Sequence, residues 1–171
     1  MHPFYAKNFL ICPRCGANFT NLDDHLYCEV CQFTIYPHPS PATSVFIVND
    51  KNQIMLTKRK YEPQKGMWDS VGGFVMTDES IEEGAIREAK EETRLTVKIV
   101  NYVGTIPDEY LGTPTITIAY IAKVESGTAI ASDDAQELKW FDIDQLPPDN
   151  KLAFKSVTTL LHQAIKIIKQ Y

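Results

Sequence analysis

From Ala42 onward, apolar residues recur with two periods, and these predict a mixed α/β fold. Ala42 to Asn49 (ATSVFIVN) reads as a buried strand and Gln53 to Lys58 (QIMLTK) as its neighbour, with Asn49-Asp50-Lys51-Asn52 as the turn between them. Val71 to Val75 is a short apolar segment around Gly72-Gly73. Ser80-Ile81-Glu82-Glu83 has the form of a capping box, in which Ser80 caps the Glu83 amide and the Glu83 carboxylate reaches back. Ile81, Ala85 and Ala89 then make a narrow apolar stripe at helical spacing. Val97 to Ile106 and Thr115 to Val124 follow as strands. In the latter, Ile116, Ile118, Tyr120, Ala122 and Val124 recur at every second position. Glu137 to Phe141 is a further strand and Leu152 to Lys169 a C-terminal helix. Strands with two well-separated helices predict an α/β sandwich.

The first 36 residues follow a different logic. All four cysteines lie there, as Cys12-Pro-Arg-Cys15 and Cys28-Glu-Val-Cys31 with twelve residues between the pairs. Two such pairs suit a tetrahedral zinc site, each pair supplying two thiolates from a tight knuckle. Gly16 follows the first pair, where a knuckle often needs a positive φ. Two disulfides would call for a secreted protein, and thiol redox chemistry normally uses one such pair. Structural zinc on Cys12, Cys15, Cys28 and Cys31 is therefore the expectation, in an arrangement that resembles a zinc ribbon, with His25 an ordinary surface residue. The expected division is a ribbon over 1–36, a proline-rich connector over 37–41 holding Pro37, Pro39 and Pro41, and a main domain over 42–171.

Composition narrows the function classes. The chain has 171 residues, 44% hydrophobic and 23% charged, which is globular. Its net charge of -5 offers no general attraction to nucleic acid or anionic membrane. Within the ribbon, Arg14 and His25 are the basic side chains between Cys12 and Cys31, opposed by Asp23, Asp24 and Glu29. Phe19, Tyr27 and Phe33 are read there as cover for a small metal-centred core rather than as stacking surfaces for bases. No apolar run reaches the roughly 20 residues needed to span a bilayer, and the N-terminus lacks a secretory pattern. A cytoplasmic protein without nucleic-acid or membrane partners is expected.

The chemistry concentrates in Arg87-Glu88-Ala89-Lys90-Glu91-Glu92. On a helix Glu88 and Glu92 share a face, with Glu91 three positions from Glu88. Carboxylates gathered this way repel one another unless a divalent cation neutralises them, and hard oxygen ligands suit magnesium or manganese. On its own, such a cluster is more often a solvated helix face. The wider spacing alters that balance: Gly73, five residues, Glu79, seven residues, then Arg87-Glu88-Ala89-Lys90-Glu91-Glu92-Thr93-Arg94-Leu95 resembles the Nudix box, preceded by Lys65-Gly66-Met67-Trp68-Asp69-Ser70-Val71-Gly72-Gly73-Phe74. Every charged position of the signature is present. Its last glycine is replaced by Arg94. That glycine commonly ends a helix in the left-handed conformation, which costs another residue about 1 kcal/mol. Either Arg94 adopts it or the helix ends differently.

The resemblance implies an α/β/α sandwich with a mixed sheet, preceded by the small zinc ribbon. It also implies metal-dependent hydrolysis of the pyrophosphate in a nucleoside diphosphate linked to another moiety. By residue-wise transfer, Glu88, Glu91, Glu92 and the Gly72 carbonyl are ligands of Mg2+ or Mn2+, and Glu88 is also a candidate to orient or deprotonate the attacking water. Arg87 and Glu79 brace the catalytic loop. A later loop in such proteins can supply another base or ligand. Asp133, Asp134 and Glu137 are the options here, with Glu137 preferred. Arg59 is a candidate phosphate contact, while Trp68 and Phe74 are read as packing.

A zinc ribbon before a Nudix domain resembles NADH pyrophosphatases, but their Ser-Gln-Pro-Trp-Pro-Phe-Pro array is missing from the comparable Gly104–Pro114 segment. ADP-ribose or a related nucleotide sugar is therefore the first expectation, ahead of nucleoside triphosphate clean-up and NADH. A ribbon-based nucleic-acid-binding module with an idle hydrolase domain is the least favoured. By resemblance a homodimer is expected.

Overall fold

A computed structural model describes residues 1–170; Tyr171, the last residue of the expected main domain, lies outside them. The chain divides into two compact units, Met1–Pro39 with Glu109–Pro114, and Ser40–Asp108 with the chain from Thr115.

The smaller unit opens with helix α1 (Pro3–Asn8), whose Pro3 stands in the first turn, where a missing N–H costs nothing. His2 Nδ1 accepts from the Phe4 amide, and Tyr5 is buried with its hydroxyl donating to the His38 carbonyl. Three two-residue strands, β1 (Thr20–Asn21), β2 (Leu26–Tyr27) and β3 (Thr34–Ile35), form an antiparallel ribbon. With so few apolar residues to bury, a sheet this small needs a further source of stability.

The larger unit is built around β4 (Ser40–Val48), which pairs antiparallel with β5 (Gln53–Arg59). Next come β6 (Trp68–Asp69), helix α2 (Ile81–Thr93), and the long strands β7 (Thr96–Tyr110) and β8 (Thr113–Ser126), whose residues within Glu109–Pro114 count with the smaller unit. Strand β9 (Ala135–Asp142) and helix α3 (Lys155–Ile168) complete it. The sheet order is β6-β5-β4-β8-β7, with β9 also paired antiparallel to β5. Since β4 runs parallel to β8, the sheet is mixed.

Strand alternation feeds two cores. Val45 and Ile47 of β4, Met55 of β5, and Ile118, Tyr120 and Ala122 of β8 pack with Ala85 and Ala89 of α2. Their neighbours Phe46, Val48, Ile54, Leu56, Ala119 and Ile121 pack with Leu160, Leu161 and Ala164 of α3. The mixed sheet therefore lies between two helices, the expected α/β/α sandwich. Burial on both faces explains why its central strands read as nearly continuous apolar runs.

Two boundaries differ from the sequence reading. Ser40 and Pro41, read as the end of the connector, are the first residues of β4, in register with Thr115 and Ile116. Helix α3 starts at Lys155 because Leu152 and Ala153 are held to β6: Leu152 bridges to Trp68, and the Ala153 amide donates to the Trp68 carbonyl at 2.8 Å. Among the described residues no helix is long and apolar enough to cross a membrane.

Candidate active site

Helix α2 is fixed at both ends. At its start Ser80 Oγ accepts from the Glu83 amide at 3.2 Å, and Glu83 Oε2 accepts from the Ser80 amide at 2.7 Å, the reciprocal box expected from sequence. At its end Arg94 adopts φ 64 and ψ 4, the left-handed conformation usually left to glycine, and its amide donates to the Lys90 carbonyl. Tyr120 on β8 donates its hydroxyl to Glu82 Oε1 at 2.8 Å, tying the first turn to the sheet below.

Arg87 organises the polar face. Its Nε and Nη2 grip both oxygens of Glu79 at 2.9 and 2.7 Å, and Nη1 reaches Glu88 Oε1 at 2.7 Å and Glu91 Oε2 at 2.9 Å. Nη2 also donates to the Phe74 carbonyl at 3.0 Å, so the guanidinium joins the glycine loop to the helix. Glu79 is held further by the Met76 amide, and the two contacts depress its carboxyl to about 2, Arg87 being the larger cause. Gly84 makes room for this, since a Cβ there would stand 2.9 Å from Glu79 Oε1.

The glycine pair sets how closely loop and helix approach. The Val71 and Gly73 carbonyls on either side of Gly72 accept from Val45 and Thr43 of β4 at 2.6 and 2.8 Å. Gly72 has φ 147, and a Cβ on it would lie 2.1 Å from the Thr43 carbonyl oxygen. At Gly73 a Cβ would stand 2.6 Å from Glu88 Oε1. Only glycine lets the loop backbone lie against that carboxylate.

The three glutamates differ in environment. Glu91 is the most open, its side chain 42% exposed. Glu88 is largely buried; burial raises its carboxyl above the ordinary value, Arg87 opposes the shift, and the charges of Glu91 and Asp133 add to it. Glu92 is buried at 6% exposure. Burial, then repulsion from Asp69 and Glu88, raises its carboxyl well above the usual range, against a favourable contribution from the Gly72 amide. Glu92 Oε2 has no hydrogen-bond partner. A buried carboxylate oxygen without a donor calls for a partner, yet the oxygens of Glu88, Glu91 and Glu92 do not all lie within 4.8 Å of one another.

The remaining expected residues fall in different places. Glu137 lies exposed on β9, its side chain paired with Lys58 Nζ at 3.3 Å. Asp133 and Asp134, in the preceding loop, are the acids whose charges act on Glu88 and Glu92. Arg59 donates from Nε to the Pro63 carbonyl at 2.7 Å and from Nη1 to Asp69 Oδ2 at 2.9 Å, and it lies over the Phe154 ring. Asp69 is buried and carries no signal in the sequence; burial raises its carboxyl while Arg59 opposes the shift. Trp68 packs edge-on against Phe141, whereas Phe74 is exposed.

In the smaller unit all four sulfurs lie within 4.8 Å of one another, with Cys12 to Cys31 at 3.7 Å and Cys15 to Cys28 at 3.5 Å. Sulfurs at about 2.3 Å from a tetrahedral zinc stand about 3.8 Å apart, close to these values. The two knuckles repeat one geometry. Gly16 donates to the Cys12 carbonyl and Gln32 to the Cys28 carbonyl, each residue at positive φ. The thiols are pushed apart: the Cys31 amide is the main cause that lowers the Cys28 thiol to about 7, while burial raises the Cys31 thiol to about 12. His25 is turned to Asp24 at 2.6 Å and lies outside this cluster.

The sequence profile of the NUDIX domain matches residues 38–161. An ADP-ribose pyrophosphatase from Methanocaldococcus jannaschii is 40% identical over 145 residues, covering 84% of this chain and 79% of its own length. An NAD-capped RNA hydrolase, NudC, from Haemophilus influenzae is 29% identical over 174 residues, covering 96% of this chain; this chain spans 63% of that protein. Among solved structures, a NUDIX hydrolase from Nitrosomonas europaea superposes with a TM-score of 0.77 at 21% identity, over 91% of this chain and 90% of the other.

Proposed function

The chain belongs to the NUDIX family of pyrophosphohydrolases, and from that premise we propose that its substrate is a nucleoside diphosphate joined to a sugar, ADP-ribose being the first choice. The observation that carries the site is the buried, unpartnered Glu92 Oε2 on the helix that also bears Glu88, one turn earlier, and Glu91. The relative named an ADP-ribose pyrophosphatase supports the substrate class.

Glu88, Glu91, Glu92 and the Gly72 carbonyl would hold Mg2+ or Mn2+, which when bound offsets phosphate charge and lowers the pKa of coordinated water. The chain's own part is to place a carboxylate beside the attacking water. Arg87 fixes Glu88 through Oε1, and burial makes that carboxylate more basic than an exposed one. Glu88 takes the water proton, the water oxygen bonds to phosphorus, and the bridging oxygen leaves with the other phosphate. From ADP-ribose the products are AMP and ribose 5-phosphate. Asp133 and Asp134, ahead of Glu137, are the loop acids placed to act on these carboxylates. Arg59 holds Asp69 and keeps its place as the candidate phosphate contact.

The four thiolates would hold a structural zinc, the source of stability that so small a ribbon needs. A homodimer belongs to the same proposal, and sedimentation at micromolar concentration reads it directly.

A second reading is supported by one finding: the relative named an NAD-capped RNA hydrolase aligns with 96% of this chain, more than the 84% of the other. The missing proline-aromatic array places it second. Incubation with magnesium and, separately, ADP-ribose, NADH, ATP, dGTP and 8-oxo-dGTP, with products resolved by chromatography, decides among these. Fastest turnover of ADP-ribose is the expected result. Triphosphates cut best would move the chain to nucleotide clean-up, and NADH cut best would point to an NAD-type dinucleotide, the second reading.

A further inference from the structure

Arg94 stands where the family signature has glycine, and its backbone adopts the conformation that glycine takes freely, at φ 64. A non-glycine residue held there is explained by what its side chain does. The guanidinium Nη2 donates to Ser132 Oγ at 2.7 Å, across 38 residues of sequence. That contact is one of several between the end of α2 and the loop leading into β9. The Ile130 amide donates to the Thr93 carbonyl at 2.9 Å, and the Ser132 amide to the Glu92 carbonyl at 3.0 Å. Gly127 lies so near that a Cβ on it would stand 2.8 Å from the Arg94 carbonyl oxygen.

The loop is held from its other side by Lys60, whose amide donates to the Asp134 carbonyl at 3.0 Å and whose Nζ reaches the Asp133 carbonyl at 3.3 Å. Asp133 is itself at φ 52. Backbone bonds to Thr93 and Glu92 set the loop's register, and the Ala135 amide, donating to the Ser132 carbonyl at 3.0 Å, closes the turn through Asp133 and Asp134. Arg94 is the side chain that reaches Ser132 from the helix.

We propose that Arg94 is a positioning residue, which through Ser132 locks the Asp133-Asp134 loop to the helix that carries Glu88, Glu91 and Glu92. Its effect on turnover rests on the reading of those glutamates as a divalent-metal site. The bond from the Ser132 amide to the Glu92 carbonyl joins the same loop directly to one of those glutamates. In this chain the glycine's conformational ease is exchanged for a tether.

The test uses the full chain in three variants, Arg94→Gly, Ser132→Ala and Arg94→Lys. Hydrogen exchange on metal-free protein reads the tether without any activity: the Ile130 and Ser132 amides are expected to exchange about tenfold faster in Arg94→Gly and Ser132→Ala. The melting midpoint of Arg94→Gly should hold or rise, because glycine takes the left-handed cap without strain. Calorimetric Mn2+ affinity should fall severalfold. With Mg2+ and ADP-ribose, kcat should fall about fivefold or more at nearly constant KM, and Arg94→Lys should recover part of it. If exchange quickens while kcat and Mn2+ affinity hold, the contact is merely structural and the proposal is overturned. Unchanged exchange overturns it as well. If the wild-type chain binds Mn2+ and turns over while the variants match it, this inference fails alone. If the wild-type chain does neither, the metal-site reading fails and takes this inference with it.

Discussion

Arg87 grips Glu79 through two parallel bonds, Nε to Oε2 at 2.9 Å and Nη2 to Oε1 at 2.7 Å. The same guanidinium holds Glu88, Glu91 and the Phe74 carbonyl, so one cation joins the glycine loop, the segment before the helix and the helix itself. The pair is charged in the folded chain over nearly the whole pH range. With the Glu79 carboxyl at about 2, below its ordinary 4.5, the contact stabilises the fold above pH 4.5 and is lost as pH falls toward 2. Melting curves of wild-type and Glu79→Gln protein should therefore differ most at neutral pH and converge as pH drops through that window. A gap that stays constant down to pH 2.5 would contradict the assignment of this pair.

Glu92 has the opposite sign. Its carboxyl lies well above the ordinary value, so the metal-free fold favours the protonated form and loses stability as pH rises past the ordinary carboxylate range. Glu92→Gln removes a buried charge that repels Asp69 and Glu88. The metal-free variant should melt higher than wild type at pH 7, by about 2–4 °C for each kcal/mol gained. Added Mg2+ should stabilise the wild type and leave the variant nearly unmoved. Turnover should drop about 100-fold, or about 2.7 kcal/mol in the barrier. Equal Mg2+ stabilisation of both proteins would remove Glu92 from the ligand set.

The neighbouring glycines predict a contrast. Gly72→Ala places a Cβ 2.1 Å from a backbone oxygen of β4, at a φ of 147 that alanine avoids, so the loop itself must shift. Stability should fall by roughly 1–3 kcal/mol, read by denaturant unfolding. Gly73→Ala meets the end of the Glu88 side chain, which can rotate away. That variant should unfold within about 1 kcal/mol of wild type and yet lose most of its activity. Loss of stability in both to the same degree would deny Glu88 its place against the loop.

Much of this arrangement is legible in the sequence because it is local. The capping box, the Ile81, Ala85 and Ala89 stripe and the spacing of Glu88, Glu91 and Glu92 all lie within one helix, where period alone decides which residues share a face. The two faces of β4 and β8 follow from alternation for the same reason. What the sequence hides is tertiary. Nothing near Arg59 announces that it faces Asp69, or that Asp69 is buried near Glu92. Glu137 is preferred to Asp133 and Asp134 in the string, and only the pairing of β9 with β5 turns it toward Lys58. Arg94 reads as a departure from pattern until Ser132, 38 residues later, is seen beside it.

The ribbon yields the last prediction. Its three strands have two residues each, and the buried side chains near the cysteines are chiefly Leu26, Cys12 and Cys28. So little apolar area cannot offset the conformational entropy of ordering some 36 residues, which by the usual scale is tens of kcal/mol. Metal binding has to supply the difference. Purified protein should carry one zinc per chain, and its four thiols should resist a thiol reagent until a chelator is added. Chelation, or Cys28→Ser, should then open the segment before Ser40 to protease while a fragment beginning near Ser40 persists. Four thiols that react at once in metal-replete protein, or a ribbon still protected after zinc is removed, would mean that packing alone holds this segment together.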